Sequence, residues 1–306
     1  MFFALPYVLA FSANFLFSTS SLAYSYYAKR HSPLWMNATK IWVAFVCFLA
    51  TQGVLLMFNK SSVGHITLTA FLCFASSGVF GVAVADLLLF RSFAKLGPAR
   101  TLMIFNIHPI VIGILSYFLF HQTISTNQLY AILCLMACVF IISLERYRGS
   151  GSWDVKYILF AILGVVFDAF GVLLMRLGFE NMPASSAVLA NSIRFSTALV
   201  LYLLIFGRKM LVWRSGHASG REPLQRDFRL AALASVFGQF ISLLLWGTAI
   251  KIGHLATLSA MTGLNPILTT TAECFFHKKA PSGYLWTALG VFLVAMAFLF
   301  LGNAQH

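Results

Sequence analysis

Charge is scarce in this chain. Of its 306 residues, 9% are Asp, Glu, Lys or Arg, and only eight are acids; a soluble domain carries about 25% charged residues. Long polar segments are also missing. The longest runs from Gly207 to Phe228, too short for a separate soluble domain. The signatures of hydrolytic and metal chemistry are absent as well: there is no HExxH, no GxSxG and no Cys–His pairing at useful spacing. The five cysteines (Cys47, Cys73, Cys134, Cys138 and Cys274) lie inside apolar runs and fit packing rather than catalysis. These absences argue against a soluble enzyme, and they leave no cofactor to expect. A membrane-embedded enzyme is the weaker reading, because no nucleophile–base pair or carboxylate pair is set out for it.

What is present is apolar. Hydrophobic residues make up 60% of the chain and mean hydropathy is +0.86, more than one soluble core of this size can bury, so lipid must solvate much of it. The formal charge of +13 comes from basic residues in short gaps between apolar runs. That placement orients a membrane protein and does not point to nucleic acid. Ten runs are long enough to span, at roughly 4–27, 34–58, 66–91, 98–119, 125–145, 155–178, 184–207, 229–250, 254–276 and 281–302. They are expected to be helices, since strands would leave backbone groups unpaired in hydrocarbon. The run from Phe2 to Tyr27 is too long for a signal-peptide core and has no basic flank before it.

The two halves match. Leu87-Leu88-Leu89-Phe90 and Lys95-Leu96-Gly97 align with Leu243-Leu244-Leu245-Trp246 and Lys251-Ile252-Gly253 at an offset of 156. His108-Pro109-Ile110 aligns with Asn265-Pro266-Ile267 at 157, and Tyr7 and Pro33 with Tyr157 and Pro183 at 150. The expected fold is therefore all-α: ten transmembrane helices as two five-helix repeats, residues 1–146 and 154–306, joined by the linker 147–153. Five helices per repeat is odd, so the second repeat is expected upside down relative to the first, as in many secondary transporters. Sixteen Lys and Arg fall on one side of the expected membrane and three on the other. The basic side should be cytoplasmic, which puts both termini outside.

The five-plus-five layout, Lys40 and Arg194 near the starts of helices 2 and 7, and the Ala99–Pro109 and Ala256–Pro266 segments resemble the drug/metabolite transporter superfamily in its EamA-type ten-helix branch. The family often has a Glu thirteen residues after that proline. Here those positions are Gln122 and Lys279. Its common topology places both termini in the cytoplasm, against the charge count. The resemblance implies a secondary transporter, an exporter of small metabolites such as amino acids, in the cytoplasmic (inner) membrane. The expected partners are the lipid bilayer and a small-molecule substrate, with the chain a monomer or homodimer. A lipid-carrier flippase is the alternative.

An intramembrane charge costs about 2.5–3.5 kcal/mol on the insertion scale, so each asks for a reason. Asp168 shares a helix face with Gly164, Gly171 and Met175, and the repeat places Asn14, Ser18, Ser21 and Ser25 on the matching face of helix 1. These faces either line a cavity or pack closely. Asp86, on a face with Val79, Ala83 and Phe90, is a cavity acid or an ion-pair partner of Arg91 or Lys40. Its counterpart is Ser242, beside Ser235, Gln239 and Trp246. Glu273 shares a face with Thr262, Asn265 and Thr269, and either snorkels, pairs with Lys278, or carries a proton. Lys40 and Arg194 could hold a substrate carboxylate, pair with Asp86 or Asp168, or snorkel to headgroups. His108 is a packing residue or a relay. Pro109 and Pro266 should kink their helices. Arg176 and Glu180 form an expected surface pair, and the basic segment 207–228 an expected anionic-lipid anchor.

Overall fold

The computed structural model describes residues 5–58, 66–105, 107–120, 155–216, 221–276 and 282–303, with scattered positions between 126 and 144. Among the described residues every regular element is helical. α1 is Leu5–Arg30 and α2 is Pro33–Met57. Ser32 starts α2 by accepting a hydrogen bond from the Trp35 backbone N–H, and Pro33 supplies a preset first turn. α3 runs over Leu68–Leu96, capped at its start by Thr67. α4 is Pro98–Phe105 and α5 is His108–Phe120. The second half holds α6 (Val155–Asn181) and α7 (Ala187–Gly216). α8 comprises Arg221–Ser235, Val236–Ile241 and Ser242–Ile252 in one run. α9 is Leu255–Met261, α10 is Asn265–Phe276 and α11 is Gly283–Asn303.

Several expected boundaries change. The spans 98–119 and 254–276 are each two helices. Pro109 and Pro266 do not kink a continuous helix; each is the second residue of a new one, α5 and α10. A proline lacks the N–H that a helix interior needs but fits the first turn, where that N–H is spare. The described residues of the segment 207–228 are helical rather than an open loop. α7 extends to Gly216 and α8 begins at Arg221, because Arg, Lys, Met and Leu are good helix formers. The expected span 125–145 falls largely outside the described residues, as do Gln122, Lys278 and Lys279.

Five of the described helical stretches are long and apolar enough to cross a membrane: Pro33–Met57, Leu68–Leu96, Val155–Asn181, Ala187–Gly207 and Gln225–Ile252. α1 is as long but carries a run of Ser, Asn and Tyr. Large apolar side chains such as Leu204, Phe118 and Phe140 face outward, as lipid contact requires and water would not tolerate over so wide a surface.

The sequence repeat is visible in the helix breaks. α3 is π-wound over Gly78–Ala85 and α8 over Val236–Ile241; the offset of 156 superimposes the second on residues 80–85. The chain breaks just before His108 in one half and at Thr262–Leu264 in the other. Packing shows the same relation across the halves: α1 lies along the 242–252 arm of α8, α6 along the 68–85 part of α3, and α2 along α7. The α3–α6 crossing is closest at two glycines, where a Cβ on Gly171 would stand 2.7 Å from the Gly81 Cα. Small residues let the backbones touch there. One detail breaks the likeness. Gly97 ends α3 with φ of 84°, a conformation that excludes a side chain, whereas Gly253 ends α8 with φ of −111°.

Candidate functional site

The repeat-related breaks and π stretches surround one small cavity. Its lining includes Asn14 and Phe17 of α1, Gly81, Asp86 and Leu89 of α3, Phe105 and His108 at the α4–α5 break, Asp168 of α6 and Arg194 of α7, together with Gln239, Ser242 and Trp246 of α8, and Thr262 and Asn265 at the α9–α10 break. Its volume is about 80 Å³. That holds a few waters, well below the roughly 300–1,000 Å³ of a pocket enclosing a drug-sized ligand. A π stretch widens the helix by one residue per turn and recurs at functional sites. It also rotates the residues beyond it about the helix axis. The expected α3 face of Val79, Ala83, Asp86 and Phe90 is therefore corrected: Gly81, Val82, Asp86 and Leu89 reach the cavity, while Val79 lines an outer groove with Thr197 and Leu201.

Eight expected site residues line the cavity: Asp168, Asp86, Arg194, Asn14, Gln239, Ser242, Trp246 and His108. Lys40 stands behind it, its ammonium on Asp86 and over the Phe90 ring at 5.0 Å. Of the alternatives for Asp86, Lys40 is the partner. Lys40 is 1% exposed and Arg194 4%, so neither snorkels, which corrects that reading: both lie on the faces where α2 and α7 pack on each other and on α3. Ser18 does not line the cavity. Its hydroxyl donates to Asn265 Oδ1 at 3.0 Å, fastening α1 to the start of α10. Ser21 lies 3.4 Å from Thr269 Oγ1, and Ser25 donates to the Phe93 carbonyl. Most of that small polar face is packing; only Asn14 reaches the cavity. Glu273 lies on α10, but its side chain is outside the described part.

Asp168 and His108 meet across the cavity, with Nε2 3.2 Å from Oδ2. The approach is off-line, and neither ring nitrogen of His108 makes a hydrogen bond among the described residues. The ring instead stacks on Phe105 at 5.0 Å. Arg194 donates from Nη1 to Asn191 Oδ1 at 2.9 Å and to the Met175 sulfur at 3.1 Å, while its Nε is buried without a partner. Asn191 is itself anchored on the Ala187 and Leu243 carbonyls. Ser242 donates to the Ala13 carbonyl. Among the described residues no group of His, Cys, Asp or Glu is arranged to hold a metal.

Against this geometry, a family model described as the EamA-like transporter family matches residues 4–144 and again 155–301. The chain belongs to the EamA-like transporter family. It is an integral membrane protein of the drug/metabolite transporter type, and the two matches fall on the two halves that the breaks and π stretches relate. A solved structure titled only as a crystal structure of a protein aligns over 97% of this chain and 97% of its own, with a TM-score of 0.73 at 17% identity. At that identity the likeness speaks for the fold alone. No curated protein matches by sequence.

Some features of this EamA-like chain had no sequence signal. Asp227, at the start of α8, takes Arg30 Nε at 2.8 Å and His31 Nε2 at 2.9 Å, joining the α1–α2 corner to the second half. It stands in a basic stretch that reads only as a surface. Arg176 pairs with Glu180 as expected, but it also donates to the Ile250, Lys251 and Gly253 carbonyls, capping α8 from α6.

Proposed function

We propose that this EamA-like protein is a secondary active exporter of a small metabolite, working by alternating access around the cavity, with Asp168 available for proton coupling and Asp86 held by Lys40. An amino acid is the class the family resemblance suggests. The observation that carries the reading is that polar and ionisable side chains from both halves meet in one small cavity at two helix breaks. Broken helices at the midplane are where transporters of inverted-repeat architecture bind their cargo. The reading includes ten spanning helices in two inverted repeats, divided at 147–153. Rocking one repeat against the other opens the small cavity to either side in turn, with the crossings of α1 on α8 and α6 on α3 as the surfaces that slide.

Asp168→Asn tests the role of the acid. Transport in proteoliposomes is expected to stop while expression and membrane insertion stay at wild-type levels; undiminished transport in that variant would sink the assignment. The Lys and Arg asymmetry supports both termini outside the cytoplasm. A C-terminal tag should then be reached by an impermeant reagent in intact cells, and protection of the tag would reverse the topology.

A further inference from the structure

The charges around the cavity can be paired off, and one is left with unspent bonds. Lys40 on α2 serves Asp86 on α3. Asp168 on α6 turns Oδ2 to His108 of α5, while its Oδ1 and Arg194 Nη2 stand 3.8 and 3.4 Å from the point where a Cβ on Gly81 would be. α1 and α8 contribute no titratable lining residue. Arg194 is buried, and all its hydrogen bonds among the described residues leave from Nη1. Its Nε–Nη2 edge is unspent, and that edge is the fork that receives a carboxylate through two parallel bonds. Gln239, 4% exposed and lining the same space, likewise makes no side-chain hydrogen bond among the described residues.

Buried donors without acceptors are costly, and a carboxylate would satisfy them. With a neutral imidazole, Lys40 and Arg194 balance Asp86 and Asp168. An arriving anion then adds one uncompensated charge in a medium that penalises it. His108 holds a ring nitrogen without a hydrogen bond beside a carboxylate, so a proton placed between them restores the balance. An ammonium would add a positive charge beside Arg194, and Oδ2 of Asp168 already faces His108. We propose that the cavity takes a small organic acid as its monoanion, the carboxylate on the Nε–Nη2 edge of Arg194, together with one proton from water on the His108–Asp168 pair. This deepens the transporter reading and rests on it; it selects an organic acid over an amino acid.

Calorimetric titration of the full chain in lipid nanodiscs with propionate, alanine and propylamine decides it. Two buffers of different ionisation enthalpy count the protons. Propionate should bind with uptake of about one proton, alanine at least about tenfold more weakly, and propylamine and chloride not at all. Arg194→Lys keeps the charge and loses the fork, and should weaken propionate by about tenfold. His108→Gln should bind propionate without proton uptake. Alanine binding as tightly as propionate, propionate binding to the wild type without a proton, or displacement by chloride would each overturn the proposal, whether or not the variants fold. Propionate binding with its proton, but no proton-driven propionate flux in proteoliposomes, would support this site and defeat the transporter reading instead. Alanine flux without propionate binding would do the reverse.

Discussion

Lys40 and Arg194 occupy related places in the two repeats, and the structure treats them differently. Each stands three residues after an asparagine, Asn37 and Asn191, whose amide donates to a carbonyl of the neighbouring π-containing helix, Ala83 or Leu243. Lys40 meets a carboxylate, Asp86. At the position related to Asp86 the second half has Ser242, whose hydroxyl is spent on the Ala13 carbonyl. Arg194 is left with an amide oxygen and a thioether. One repeat thus carries a closed ion pair and the other an open guanidinium. The first cation is part of the scaffold, and the second is available to a ligand.

The largest effect should come from breaking the closed half. Asp86→Ala leaves the Lys40 ammonium buried with no counter-charge, a change worth about 3–5 kcal/mol of stability. Adding Lys40→Met should recover more than half of it. Arg194→Met removes a cation that makes no ion pair among the described residues, so it should cost about 1 kcal/mol, the loss of a hydrogen bond at Asn191, while propionate binding disappears. Thermal unfolding of the single and double variants in one detergent checks both halves. Equal losses at Asp86 and Arg194 would erase the distinction.

Much of this arrangement was legible in the sequence because the membrane makes charge conspicuous. Asp168, Asp86, Arg194 and His108 stood out as polar residues in apolar runs, and all four line the cavity. The repeat arithmetic paired His108 with Asn265, which proved to be the two restart points of broken helices. What failed did so for physical reasons. Helical spacing could not carry a face across Gly78–Ala85, because the periodicity there is not 3.6. Depth in a helix said nothing of partners, so Lys40 and Arg194 read equally well as snorkelling side chains. Ser18 and Ser21 looked like cavity residues because a small polar face serves close packing and ligand contact alike. Asp227 was hidden because its partners, Arg30 and His31, come from the other half of the chain.

The two repeats also meet at the glycine crossing, where effects smaller than that of Asp86→Ala are expected. Gly81 and Gly171 face one another, yet a methyl on each would meet different surroundings. On Gly171 it would stand 2.7 Å from the Gly81 Cα and 2.9 Å from its nitrogen, both backbone, so α3 and α6 must part. Gly171→Ala should cost about 1–3 kcal/mol, the range for overpacking a filled site.

On Gly81 the nearest atoms are Arg194 Nη2 and the Gly171 Cα at 3.4 Å and Asp168 Oδ1 at 3.8 Å, ordinary contact distances. Gly81→Ala should therefore leave stability unchanged or raise it by up to about 1 kcal/mol, since alanine is the better helix former. That methyl also stands between the open guanidinium and Asp168, on the edge where the carboxylate is to sit. The variant should melt at or above the wild-type temperature and still lose propionate affinity by about tenfold. A fall in both together would mean that Gly81 serves the crossing alone, and would return Arg194 to the scaffold beside Lys40.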